Sequence, residues 1–181
     1  MTNRHVQKTP KSSKEDFTRT VGLISDTHIP TRAKNLPKEV FSVFEDVELI
    51  VHAGDLVDLS VIDELEQIAP VSAVHGNMDT PEIRVKLPEM TSFKLFDWQL
   101  GVIHDPSALF GAKKMREIAR KNQFNVLVYG HTHNAHVRWD NGTLFVNPGS
   151  PTNPIPPFLV KPSVALLRIT KEKMIPEIVQ I

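Results

Sequence analysis

The chain has 181 residues, 40% of them hydrophobic, which is a one-domain length with enough apolar material for a core. Its 21 Lys and Arg balance 21 Asp and Glu, so no net field draws it to nucleic acid or to an anionic membrane surface. Cysteine is absent, which excludes disulfides and thiolate metal sites and leaves oxygen and imidazole ligands, suited to Mn, Fe, Mg or histidine-bound Zn.

Residues 1–18 carry Arg4, Lys8, Lys11 and Lys14 with hardly any apolar content and read as a flexible tail, outside a single domain at 19–181. No apolar run approaches the roughly 18 residues of a membrane span, and the tail lacks a signal-peptide core, so a cytoplasmic location is expected. Val21, Leu23 and Ile24 predict a buried strand that stops at Asp26 and His28. Their i, i+2 spacing turns both side chains the same way if the chain stays extended; taken alone, Asp-x-His fits an Asx-turn better than a metal site. Pro37 opens a helix with Val40, Phe41, Val43 and Phe44 on its buried side. Glu48 to Ala53 follows as a strand, with Val51, Ala53 and Asp55 on one side and Ile50 and His52 on the other. Leu59 to Ala69 has helical apolar spacing, and Val71 to Val74 is a third strand, running into His75-Gly76-Asn77-Met78-Asp79. Three strand, loop and helix units in a row imply a parallel sheet.

Past Pro81 the pattern changes to short strands at Thr91 to Phe96 and Gln99 to Ile103 around a turn at Asp97-Trp98, the second ending in His104-Asp105-Pro106. Asp105 and Pro106 then open a helix with Leu109, Ala112, Met115 and Ala119 inward. Asn125 to Tyr129 is a strand delivering His131 and His133, and Ala135 to Trp139 pairs with Thr143 to Val146 around Asp140-Asn141-Gly142. Asn147 to Ser150 is a turn, 151–162 a proline-rich loop, and strands close the chain at about 163–169 and 174–180.

Five strand ends therefore deliver Asp26 and His28, Asp55, Asn77, His104, and His131 with His133 to one edge of the sheet. Four imidazoles, two carboxylates and an amide oxygen suit two metal ions about 3.5–4 Å apart that share one carboxylate.

The motifs SDTH at 25–28, GD at 54–55, GNMD at 76–79, His104, GHTH at 130–133 and NPGS at 147–150 resemble, in order, those of the calcineurin-like metallophosphoesterases, in particular the small YfcE-like branch. The resemblance covers Val21 to the C-terminus. It implies an α/β fold, a four-layer αββα sandwich of two mixed sheets with outer helices. It also implies that Asp26, His28 and His133 hold one divalent ion and Asn77, His104 and His131 the other, bridged by Asp55, with Mn favoured over Ni, Co, Fe, Zn or Mg. Two departures concern proton delivery: Met78 stands where larger members carry histidine, and Asp105-Pro106 replaces the usual Gly-His after His104.

Of the other histidines, His5 lies in the tail, His52 reads as core or ligand support, and His136 as surface strand. His75 is open between ligand support, a substitute proton donor and a structural role. Arg32 is near enough to reach a phosphate but also fits a solvated loop, and Asn147 could face substrate or merely form its turn. The expected function is a phosphodiesterase in which a metal-bridging hydroxide attacks phosphorus, with Asp55, Asn77 and His104 positioning nucleophile and phosphate. The alternative is a protein-binding scaffold with a vestigial metal site. The expected partner is a small phosphodiester substrate; neutrality speaks against a nuclease, and homo-oligomer formation is left open.

Overall fold

The computed structural model describes residues 18–105, 111–152 and 160–181, so residues 1–17 of the expected tail, the Pro106 start of the fourth helix with its Leu109, and most of the proline-rich loop lie outside the described residues. Two five-stranded mixed sheets form the fold. In the first, β1 (Arg19–Ile24), β2 (Leu49–Ala53) and β3 (Val71–Val74) run parallel, as expected, while β9 (Ser163–Ile169) and β10 (Met174–Gln180) add antiparallel on the β1 side. In the second, β5 (Trp98–Ile103), β6 (Val126–Val128) and β8 (Thr143–Asn147) are parallel, edged by antiparallel β4 (Met90–Leu95) and β7 (His136–Asp140).

Strand alternation builds the layers. Val21, Leu23, Val51, Ala53, Leu100, Val102, Val126, Val128, Leu144 and Val146 pack between the sheets. The opposite faces take helices. Ile24 and Ile50 meet Val40 and Phe44 of α1 (Lys38–Phe44) and Val61 and Leu65 of α2 (Ser60–Leu65), while Ile103, Leu127 and Phe145 meet Met115 and Ala119 of α4 (Gly111–Lys121). This is the αββα sandwich.

Local readings shift in three places. The second helix covers Ser60–Leu65 and relaxes into a turn before Ala69, rather than continuing to it. The hairpin turn is Phe96-Asp97, with Phe96 at φ 53° and Leu95 paired to Trp98, so Trp98 opens β5. A helix absent from the sequence reading, α3 (Pro81–Lys86), follows the Asn77 loop; Thr80 caps it and Pro81 opens it. No described helix is long and apolar enough to cross a membrane.

Candidate metal centre

The loops after β1 and β2 lie side by side and exchange backbone bonds. Asp26 N–H donates to Gly54 O at 2.9 Å, His28 N–H to Asp55 O at 3.0 Å and Ile29 N–H to Leu56 O at 3.0 Å. Asp26, His28 and Asp55 sit at φ 55°, 45° and 57°, and His131 and His133 at 71° and 54°. The extended geometry expected for Asp26 and His28 is thus absent. A left-handed backbone costs a non-glycine residue roughly 1–2 kcal/mol, so the surrounding bonds hold five of the candidate ligands in strained states.

Glycines let these ligands converge. A Cβ at Gly54, itself at φ 88°, would lie 2.7 Å from His104 Cβ; one at Gly130 would lie 2.8 Å from Asp26 Oδ2, and one at Gly76 would overlap Asp55 Oδ1.

Two groups form. Asp26 Oδ1 lies 3.3 Å from His133 Nε2 and 3.9 Å from His28 Nε2, and the two histidine nitrogens are 3.2 Å apart. Asn77 Oδ1 lies 2.9 Å from His131 Nδ1 and 3.1 Å from His104 Nε2. Asp55 Oδ2 stands between them, 3.6 Å from His28 Nε2 and 3.3 Å from His104 Nε2.

This donor set fits metal ions. Ligands with bonds of about 2.0–2.2 Å lie roughly 3.0–3.6 Å from one another around a tetrahedral or octahedral ion, close to most of the separations seen. His104 Nδ1–H donates to Ala53 O at 2.8 Å, which leaves a bare Nε2 lone pair aimed at two oxygens. Such an arrangement is repulsive unless a cation lies between. Burial works against charging His104, yet Asp55 and Asp26 raise its pKa above the imidazole norm. Burial likewise opposes ionisation of Asp55, but His104 and the Met78 N–H, which reaches Oδ1 at 2.7 Å, hold it below the carboxylate norm. Burial raises Asp26 and lowers His28.

Supports surround the ligands. Both oxygens of Asp26 accept the His131 N–H at 3.1 Å, and Ser25 Oγ lies 2.7 Å from Oδ2. Asp79, quoted within a motif but given no role, is buried and takes the Asp55, Gly76 and Val57 N–H groups at 3.0, 2.7 and 2.6 Å. Its signal was a carboxylate closing a glycine-led loop.

The remaining candidates are placed differently. Asn147 is buried, with its amide nitrogen on Gly130 O and Thr132 Oγ1 and its oxygen on the Gly149 N–H, so it braces the GHTH loop. Arg32 is exposed, and its charge contributes to lowering His28. His75 Nδ1 is buried with no hydrogen-bond partner among the described residues, and a cavity of about 280 Å³ opens beside it, lined by Asn77, Arg84, Glu89, His104 and Asp105. His52 is wholly buried; Gly54 N–H donates to its Nδ1 at 3.2 Å and its Nε2 faces Thr27 Oγ1 at 3.1 Å. His136 is exposed on β7.

Residues 20–172 match the calcineurin-like phosphoesterase superfamily domain. The chain is 42% identical to a protein of Methanothermobacter thermautotrophicus named a probable metallophosphoesterase, over 88% of this chain and 91% of that one. It is 32% identical to a Methanocaldococcus jannaschii protein named a phosphodiesterase, over 71% and 82%. The fold resembles that of Vacuolar Protein Sorting 29 from Cryptosporidium parvum, with a TM-score of 0.77, 24% identity, and 92% and 99% of the two chains covered.

Proposed function

We propose that this chain, which belongs to the calcineurin-like phosphoesterase superfamily, hydrolyses small phosphodiesters at a centre of two divalent metal ions, Mn favoured. The position of Asp55 carries the reading: one carboxylate oxygen faces an imidazole of each group, as a ligand shared by two ions must. Asp26, His28 and His133 would hold one ion and Asn77, His104 and His131 the other. Ions held there would supply a water ionised near neutral pH and charge to neutralise the phosphoryl oxygens.

The chain's own residues do the rest. His104 is locked by Ala53 O with its Nε2 turned to the centre, and Asp79 and Asp26 fix the loops through backbone N–H groups. Asn77 and Met78 stand exposed at the rim, beside the cavity that would receive one ester arm. Arg32 is placed on the exposed loop after His28, where it would meet an anionic substrate. The likeness to Vacuolar Protein Sorting 29 supports a second reading, a protein-binding scaffold on the same fold. The complete N and O donor set favours the enzyme.

Metal-stripped protein should regain turnover of bis(p-nitrophenyl) phosphate on addition of Mn and bind two ions per chain. Absence of diester hydrolysis with Mn, Ni, Co, Zn and Mg alike would favour the scaffold.

A further inference from the structure

Asn77 is the one candidate ligand that is itself exposed, and its side chain is short, so the backbone decides where Oδ1 sits. The donors of that loop are fixed by carboxylates, with the Gly76 N–H on Asp79 Oδ2 of the same loop and the Met78 N–H on Asp55 Oδ1 of the loop after β2. Its acceptors are fixed by one side chain from outside. Arg84 Nε donates to Asp79 O at 3.0 Å, and Arg84 Nη2 donates to Asn77 O in a close contact. Among the described residues no other donor reaches either carbonyl.

Arg84 reaches the loop along a set path. It sits on α3, whose N-cap Thr80 accepts the Ile83 N–H at 3.4 Å and whose Ile83 is buried, so the helix directly follows the loop that its arginine folds back to grip. A guanidinium is a rigid fork able to meet two carbonyls two residues apart, whereas a lysine ammonium offers a single flexible point.

We infer that Arg84 is a positioning residue: it fixes the Asn77 side-chain oxygen against His104 and His131 and thereby sets the affinity of one of the two metal positions, leaving the other untouched. This rests on the ligand set proposed above. Groups that orient a metal ligand without touching the metal change affinity by about 10- to 100-fold when removed, against a negligible effect for an ordinary surface arginine.

The test uses the full chain, wild type, Arg84→Met and Arg84→Lys. Calorimetry with Mn2+ on metal-stripped protein should show one binding step weakened about 10-fold or more in Arg84→Met, with the other within about two-fold, and Arg84→Lys in between. In the metal-free state, amide exchange at Met78 should quicken in Arg84→Met. Two unchanged steps, or two steps weakened equally, would overturn the inference. A wild type that takes up only one ion would instead refute the two-metal ligand set, and the Arg84 clamp would then fall if Met78 exchange were also unchanged.

Discussion

Asp79 Oδ2 accepts the backbone N–H of Asp55 at 3.0 Å, so a carboxylate outside both groups of candidate ligands holds the one that faces an imidazole of each. The same oxygen takes the Gly76 N–H and Oδ1 the Val57 N–H, tying the loop after β2 to the loop after β3. Three N–H groups converging on a buried carboxylate stabilise its charge and are left unpaired if it is removed. Asp79→Asn, which turns one acceptor into a donor, should cost about 2–3 kcal/mol. That corresponds to a fall in Tm of roughly 5–10 °C for a chain of this size, read by scanning calorimetry of the metal-free protein. An unchanged Tm would show that the loops close without it.

Asp55→Ala should lose both ions, because Oδ2 is the oxygen facing His28 and His104 together. Asn77→Ala removes an oxygen that faces only His104 and His131 and should weaken one ion. Elemental analysis of metal per chain after gel filtration separates the cases. Two retained ions and normal turnover in Asp55→Ala would mean that the centre is assembled differently.

His52 gives the metal-free protein a defined pH dependence. Burial lowers its pKa from 6.5 to about 3. Below pH 6.5 the unfolded chain binds a proton at His52 that the folded chain refuses until about pH 3, so the His52 contribution to stability falls as pH falls through that window and is constant above it. The slope is at most about 1.4 kcal/mol per pH unit. His52→Gln keeps a donor for Thr27 Oγ1, forfeits the Gly54 bond at a cost near 1 kcal/mol, and should flatten this part of a urea-unfolding profile between pH 6.5 and 4. A parallel profile in the variant would show that His52 does not set it.

The strand ends were legible because alternation of apolar side chains survives folding. Val51 and Ala53 enter the core between the sheets and Ile50 the helix side, as period two requires, and the polar residues after them emerge at one edge. The helix α3 was not legible from periodicity, since Ile83 is its only buried residue and Val85 is 87% exposed; only the Thr80-Pro81 cap announced it. The left-handed backbone of Asp26, His28, Asp55, His131 and His133 was beyond reach for a different reason. Aspartate and histidine enter that state more readily than most non-glycine residues but do not announce it in a sequence; bonds such as Asp26 N–H to Gly54 O impose it from another part of the chain. Asp79 and Arg84 were missed alike, because their partners are backbone groups and no residue type marks a carbonyl or an N–H.

Met78 stands where larger relatives of the resembled family carry histidine, and the structure gives it a suitable place for the exchange. Its N–H is fixed on Asp55 Oδ1 at 2.7 Å, while the residue is 56% exposed, so a ring there forfeits little packing and stays near the centre. A thioether cannot deliver a proton, and an alkoxide leaving group needs one whereas a nitrophenolate does not. Wild-type enzyme should therefore favour activated aryl diesters over alkyl monoesters. Met78→His should raise kcat for poor leaving groups by about 10-fold or more, within the range of general acid catalysis, and leave nitrophenyl diesters within about two-fold. The comparison is a plot of log kcat against leaving-group pKa for both proteins, where the added acid should shallow the slope. His75→Ala serves as the control: if His75, which sits at the cavity beside Asn77, already supplies the proton, that variant alone would steepen the slope and Met78→His would leave it as it was. A uniform gain across all leaving groups would place the effect of Met78→His in metal binding or loop geometry instead of proton transfer.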